Sequence, residues 1–135
     1  MFWQLKRQSP KGLLLKSARA GNLRQARKAI ASGAPPDTRD GHGRTALCLA
    51  VKNNRHEMVR FLIESGADVN FKLAYGRTPI YHAIHYGSLE TLGLLLEAGA
   101  DPTVKDATGQ TPYEYAKSHY KSQMAAMLKQ ESDTE

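Results

Sequence analysis

The sequence predicts an all-α protein made of repeated helix pairs, because short sequence patterns recur at one fixed spacing. The segments GRTALCLAVKNN, GRTPIYHAIHYG and GQTPYEYAKSHY each begin 33 residues after the previous one, at Gly43, Gly76 and Gly109. The segments SGAP, SGAD and AGAD keep the same spacing, with glycines at Gly33, Gly66 and Gly99. Small and larger apolar positions follow the same period: Ser17, Ala50, Ala83 and Ala116, and Leu14, Leu47, Ile80 and Tyr113. A period of this length is typical of a stacked repeat protein.

Each repeat contains signals for two helices. A threonine opens the first helix, since threonine is a good N-cap residue and proline suits the position after it; the pairs are Thr78–Pro79 and Thr111–Pro112, with Thr45 standing alone. This helix is expected to end near Asn53, Tyr86 and His119. A second helix carries EMVRFLIESG or LETLGLLLEAG, and Gly66 and Gly99 end it in a left-handed conformation that glycine tolerates. One helix pair cannot bury its apolar side alone, so neighbouring pairs must stack.

Four units are expected in one domain, about 8–39, 40–72, 73–105 and 106–130. Residues 1–7 precede them and an acidic tail, 131–135, follows. The outer units carry polar residues where inner units are apolar, as a finite stack requires for solubility. Gln25 and Lys28 replace Met58 and Phe61, and at the other end Ser122 and Lys129 replace Leu89 and Leu96. These caps favour a self-contained protein of four units.

The pattern Gly-x-Thr-Pro-apolar-x-x-Ala, followed by LLLEAGADP, resembles the ankyrin repeat over about residues 13–130. The resemblance implies an L-shaped solenoid with β-turn fingers, a concave groove and binding to another protein. The family's usual histidine after Thr-Pro-Leu is replaced by Cys48, Tyr81 and Glu114. Because that histidine normally helps to tie the turn, we expect a looser ridge of turns. The first unit lacks Thr-Pro altogether.

Composition indicates a folded protein with a basic body. The chain has 135 residues, is 41% hydrophobic and carries a net charge of +6. Since the tail contributes −3 of that total, residues 1–130 carry +9, which favours acidic partners. Cys48 is the only cysteine, and no segment approaches the roughly 20 apolar residues of a membrane span. We expect a monomer in the cytoplasm, with the nucleus as the alternative in a eukaryote.

Metal binding and catalysis have little support in the sequence. His82 and His85 are three residues apart on one predicted helix, but no third ligand follows at the spacing that a zinc site requires. Cys48 is interpreted as a packed, inert thiol. The carboxylates near helix starts and turns are explained by the repeat: Glu57, Glu90, Asp68 and Asp101. We therefore predict no enzyme activity, no metal and no cofactor.

The apolar start, MFWQL, is not explained by the repeat. Phe2, Trp3 and Leu5 are interpreted as a lid over the first unit, because exposed apolar groups carry a solubility cost. A docking motif for a partner is the alternative.

The positions that correspond to partner contacts in the ankyrin family form a basic, tyrosine-containing groove. The predicted partner-binding residues are Arg39, His42, Arg44, Lys52, Lys72, Tyr75, Arg77, His85, Tyr86 and Lys105. No acidic residue occupies the corresponding finger-tip and first-helix positions. We therefore predict a regulatory module that binds an acidic surface or segment of a partner protein, with Tyr75 and Tyr86 as anchors and Arg44 and Arg77 contacting carboxylates. The alternative is a nucleic-acid-binding scaffold that uses the same groove.

Overall fold

A computed structural model describes residues 8–133, which form eight α-helices and one short 3₁₀ turn. The helices are α1 (Pro10–Ala20), α2 (Leu23–Ala31), α3 (Ala46–Lys52), α4 (His56–Glu64), α5 (Pro79–Tyr86), α6 (Leu89–Glu97), α7 (Pro112–Ser118) and α8 (Ser122–Asp133). The 3₁₀ turn spans Ala74–Gly76. The predicted all-α fold is confirmed, and each predicted unit contains one helix pair. Helix α8 continues into the first three residues of the segment assigned to the tail.

The helices form two layers. In the inner layer each helix packs against the next, so α1, α3, α5 and α7 lie side by side, and α2, α4, α6 and α8 form the outer layer. The core runs through the stack without interruption. Leu14, Leu47 and Ile80 are at most 1% exposed. The small residues that share one repeat position are also buried, where the helices approach each other: Ser17, Ala50, Ala83 and Ala116.

Two of the three predicted threonine caps form. Thr45 Oγ1 accepts a hydrogen bond from the amide of Cys48 at 3.2 Å. Thr111 and Glu114 form a reciprocal capping box, in which each side chain accepts from the other residue's amide. Thr78 occupies the N-cap position of α5, but its side chain makes no capping bond. All three threonines thus stand at the predicted N-cap position, but only Thr45 and Thr111 form the side-chain bond.

Glycine ends the second helices as predicted. Gly66 and Gly99 have φ values of 100° and 97°, a region that an L-residue with a Cβ atom occupies only with strain. Each follows its helix by two residues, and the chain then turns back toward the inner layer.

Three turns project from the inner layer and are named here as fingers: the first finger (39–45), the second finger (72–78) and the third finger (105–111). One backbone hydrogen bond closes each of them across its base. Asp40 N donates to Arg44 O, Leu73 N to Arg77 O, and Asp106 N to Gln110 O, at 2.8–2.9 Å. The first finger also holds the isolated bridge between Arg39 and Thr45.

None of the helices that the structure describes is long and apolar enough to cross a membrane. The predicted lid of Phe2, Trp3 and Leu5 lies outside the described residues.

Candidate partner-binding groove

An aspartate shapes the turn of the first and third fingers. Asp40 Oδ1 accepts hydrogen bonds from the amides of His42 and Arg44, both at 2.9 Å. Asp106 Oδ1 does the same for the amides of Thr108 and Gln110, both at 3.0 Å. Burial alone would raise the pKa of each carboxyl group, but these hydrogen bonds and the neighbouring arginines outweigh burial and hold both pKa values below the ordinary 3.8. Both carboxylates are therefore ionised at neutral pH.

The second finger has Leu73 where the other two fingers have aspartate, and its turn is different. The chain forms a 3₁₀ turn in which Tyr75 adopts a φ of 62°. The carbonyl oxygen of Tyr75 accepts a hydrogen bond from the amide of Ala107 at 2.8 Å, which joins the second finger to the third. Tyr75 is 73% exposed, so its side chain is accessible to a partner.

Arg77 is held on three sides. Its Nε lies 3.3 Å from Asp106 Oδ2, and the Asp106 side chain is 0% exposed. Its guanidinium carbon lies 5.7 Å from the ring centre of Tyr75 and 4.9 Å from that of Tyr115. This arrangement fixes the plane of the guanidinium group, whose Nη atoms make no hydrogen bond to any residue within 8–133.

Arg44 is paired within its own finger. Arg44 Nε lies 3.0 Å from Asp40 Oδ2, and Arg19 Nη2 lies 3.2 Å from the same oxygen. No acidic residue occupies the finger-tip positions, but Asp40 and Asp106 lie just behind the arginines. Their positions are not finger tips, but their side chains fold back and neutralise part of the basic charge.

Residues of the first two fingers, α5 and α7 enclose a cleft of about 270 Å³. Six predicted site residues line it: His42, Arg44, Tyr75, Arg77, His85 and Tyr86. The other lining residues are Gly43, Leu73, Ala74, Tyr81, His82 and Tyr115. Among the residues that the structure describes, no carboxylate lines the cleft.

Aromatic rings pack together along one side of the cleft. The rings of His85 and Tyr86 lie 4.4 Å apart, and Tyr115 and His119 lie 4.0 Å apart. The hydroxyl group of Tyr115 lies 3.3 Å from His85 Nδ1, which joins α7 to α5. Lys52 Nζ lies 5.2 Å from the ring centre of Tyr86. Burial, together with the nearby His119, lowers the pKa of His85 below its ordinary value.

The other four predicted site residues lie outside the cleft lining. One of them, Lys52, contacts the ring of Tyr86. Arg39 is exposed, with its guanidinium carbon 5.3 Å from the ring centre of Phe71. Lys72 and Lys105 are exposed at the start of the second and third fingers. These three cations can contribute to the field around the groove but do not contact the cleft itself.

The family comparison agrees with this architecture. A sequence model of ankyrin repeats (3 copies) matches residues 14–106, which is more than half of the chain. The chain belongs to the ankyrin repeat family. Ankyrin repeats are protein–protein interaction modules, and proteins built from them are typically not enzymes. No curated protein shows a significant match to the sequence.

Tyr81 stabilises the turn in the way expected of the usual histidine of the ankyrin repeat, by a hydrogen bond from its side chain. The side chain is 1% exposed. Its hydroxyl group lies within hydrogen-bonding distance of the carbonyl oxygens of Val104 and, at 2.7 Å, Gln110. One proton can serve only one of these acceptors at a time, but Val104 directly precedes the third finger and Gln110 lies within it, so either bond joins α5 to that finger. The expected looser ridge is therefore wrong at this repeat.

Burial shifts the pKa values of both His82 and Cys48. His82 is half-buried and burial lowers its pKa, but its Nδ1, like Thr78 Oγ1, has no hydrogen-bond partner among residues 8–133. Cys48 is buried, and burial raises the pKa of its thiol to about 12, so the reactive thiolate is scarce at neutral pH. Within the described part of the chain, no group of three or more His, Cys, Asp or Glu side chains could hold a metal ion.

Four functional residues of this ankyrin groove were not selected from the sequence: Asp40, Asp106, Tyr81 and Tyr115. A signal existed for the aspartates, because Asp40 and Asp106 share one repeat position, with Leu73 between them. Both are followed by a glycine three residues later, and an aspartate that begins such a turn is typical of a side chain that accepts from the turn amides. No such local signal marks the tyrosines, whose role depends on contacts between units.

Proposed function

We propose that this protein is a non-enzymatic regulator that holds an acidic segment of a partner protein in the cleft between its fingers and inner helices. The observation that supports the proposal is the lining of that cleft, where two arginines, three histidines and four tyrosines meet with no carboxylate among the described residues. Binding of this kind can inhibit the partner, recruit it or otherwise regulate it.

Arg77 is the central contact in this proposal. Asp106 engages only its Nε, so both Nη atoms can bind a carboxylate of the partner as a fork. The rings of Tyr75 and Tyr115 already fix the guanidinium plane. Because the side chain is ordered before binding, little conformational entropy is lost when the partner arrives.

The outer cations have a different role. Arg39, Lys72 and Lys105 are exposed and are not part of the cleft lining, so they attract an acidic partner through the solvent. Such charges mainly raise the association rate, and salt weakens their effect. The cleft residues are expected to slow dissociation instead.

The tyrosines fit a protein segment better than a strand of nucleic acid. Stacking of bases requires accessible ring faces. Lys52 covers one face of Tyr86, and Arg77 lies against both Tyr75 and Tyr115. These contacts leave fewer ring faces for a base, while the ring edges and hydroxyl groups stay available to a peptide.

Selection from a random peptide-display library tests this function. We expect the selected peptides to be rich in Asp and Glu, and to bind in fluorescence anisotropy with an affinity that falls as salt rises. Arg77→Lys keeps the charge but removes the fork, and should weaken binding about tenfold. The matched control is Arg60→Lys on α4 in the outer layer, which should bind as the wild type does.

Two results would contradict the proposed function. One is selection of neutral or basic peptides; the other is equal loss of binding in the Arg60→Lys control. A single-stranded oligonucleotide that binds more tightly than the acidic peptides, and is lost with Arg77→Lys, would favour the nucleic-acid alternative. Because Arg77 also contacts Asp106, the melting temperature of each variant is measured at the same time.

A further inference from the structure

The stack ends at α7 and α8, whose outer face is not covered by another helix pair among the described residues. At the equivalent repeat position, Leu47 and Ile80 are at most 1% exposed because the next unit packs over them. Tyr113 occupies this position in the last unit and is only half-buried. The face that receives the next helix pair inside the stack is therefore still present at its end.

This end face is a hollow of about 610 Å³ with a basic rim. Its floor includes Tyr113 and Ala125, and its rim carries Lys117, Lys121 and Lys129. No carboxylate lines it within residues 8–133. Lys117 and Lys129 occupy positions that are apolar in all the other units: Ala18, Val51 and Ile84 for the first, and Ile30, Ile63 and Leu96 for the second.

Tyr120 adds a second unusual feature at the rim. It has a φ of 57° and is 93% exposed. The same repeat position is Gly21 in the first unit and Asn54 in the second, with φ values of 74° and 55°, and these are the residue types that accept a left-handed backbone most easily. In the third unit it is Gly87, whose φ is −95°. A large ring in this conformation gains no compensating packing from any described residue.

We propose that this end face, defined by Tyr113, Lys117, Tyr120, Lys121, Ala125 and Lys129, docks an acidic α-helix of a partner protein. A helix fits this face in shape, because the uncovered side of α7 is equivalent to the side of α5 that packs against α7. The charge argument is that three lysines surround the hollow, so a helix with carboxylates flanking a narrow apolar stripe matches both the rim and the floor. Tyr120 would then lie against the side of the docked helix.

The contacts of Tyr113 disfavour a nucleic acid as the occupant. A base would have to stack on Tyr113, where Lys117 Nζ already lies 5.5 Å from the ring centre. The surface is separate from the cleft between the fingers, so this proposal does not depend on the proposed function.

The probe for the test is a synthetic amphipathic helix of leucine, alanine and glutamate, constrained to stay helical. The same residues in scrambled order form the first control, and the helix with lysine in place of glutamate forms the second. Fluorescence anisotropy gives the affinities, and amide chemical shifts of the full-length labelled protein give the location. We expect the acidic helix to bind at α7 and α8, and both controls to bind at least about tenfold more weakly.

Three variants sharpen the test. Lys117→Glu with Lys121→Glu should weaken binding by about tenfold or more. The matched control, Lys16→Glu with Lys28→Glu at the other end of the stack, makes the same change in net charge and should retain most of the affinity. Tyr120→Asn should raise the melting temperature, because asparagine tolerates this backbone, and should nevertheless weaken binding; a residue with only a structural role would not combine these effects.

Several outcomes would overturn the proposal. Absence of binding by the acidic helix would mean that the lysines only keep the end of the stack soluble. Chemical shifts confined to the cleft, equal binding by the scrambled peptide, or equal loss in the two charge variants would also contradict it. Tighter binding of an oligonucleotide or of phosphatidylserine vesicles to the same residues would assign the face to a different ligand. Dimerisation through this face in light scattering would assign it to a second copy of the chain.

Discussion

Replacing Asp106 by alanine should destabilise the C-terminal part of the stack by about 2–4 kcal/mol. The carboxylate accepts four hydrogen bonds, from Thr108 N at 3.0 Å, Thr108 Oγ1 at 2.6 Å, Gln110 N at 3.0 Å and Arg77 Nε at 3.3 Å. Thr108 is exposed and can bond to water instead. Gln110 N and Arg77 Nε are more sheltered, and a lost hydrogen bond to a charged group costs about 1.5–3 kcal/mol. The total stays below the sum because losses within one network are not additive.

Asp106→Asn separates the contribution of the turn hydrogen bonds to stability from the contribution of the ion pair with Arg77. The asparagine side-chain oxygen can still accept from the turn amides of Thr108 and Gln110, while the charge opposite Arg77 is lost. The Arg77 side chain is 31% exposed, so solvent screens the pair and its contribution is about 1 kcal/mol. We expect Asp106→Asn to cost about 1–2 kcal/mol in total.

Asp101→Ala is the matched control. Asp101 Oδ1 accepts from the amide and hydroxyl groups of Thr103 at 2.8 and 2.6 Å, but no arginine is paired with it in the described chain. Its replacement should cost about 0.5–1 kcal/mol. Urea unfolding gives the free energies, and each 1 kcal/mol should lower the melting temperature by about 3–5 °C in a chain of this size.

The reasoning would be refuted by a loss below about 1 kcal/mol for Asp106→Ala, or by equal losses for Asp106→Ala and Asp101→Ala. Hydrogen exchange adds a local check. In a repeat stack each unit contacts only its neighbours, so protection should fall first in α7 and α8. A uniform loss across all eight helices would mean that the third finger does not hold the last pair in place.

Three further predictions concern the core and its titrating groups. Leu95→Ala should cost about 2–5 kcal/mol in urea unfolding by leaving a cavity in the core, and a cost below about 1 kcal/mol would contradict the packing described. His82 has a pKa below its ordinary 6.5 because burial disfavours its charged form. The neutral form therefore stabilises the folded state fully above pH 6.5, and this stabilisation is lost as the pH falls and the folded protein must bury a charge. The melting temperature should drop between about pH 7 and pH 5, and it should drop less in His82→Gln. Cys48 should react with a thiol reagent only after unfolding, since burial raises its pKa to about 12; rapid reaction of the native protein would show that the thiol is accessible.

The fold could be predicted because its information is local and repeated. The 33-residue spacing, the threonines before the first helices and the glycines after the second helices each act through the backbone of one unit. These signals gave the helix ends to within about one residue. They do not tell which threonine forms a capping bond, because Thr78 has the same residue type and position as Thr45 but lacks that bond.

The cleft could be predicted only in part, because its chemistry depends on contacts between units. Six residues chosen from the sequence line the cleft, but the sequence did not show which aspartates form ion pairs with Arg44 and Arg77. Asp106 pairs with Arg77, which lies 29 residues earlier in the chain. A contact between residues so far apart in sequence depends on how the second and third fingers lie side by side. The left-handed backbone of Tyr75 was also missed, since it belongs to the turn that forms where Leu73 replaces an aspartate.

Chemical-shift mapping of an acidic peptide from the display selection is the most direct test of the proposed binding site. The side-chain Nε–H signals of Arg44 and Arg77 report on the cleft, and the amides of α4 and α6 report on the outer layer. The proposed function predicts that the peptide shifts both arginine signals and the amides of His85 and Tyr86, while the outer layer stays unchanged. Shifts confined to α4 and α6, with unchanged arginine signals at saturation, would contradict it.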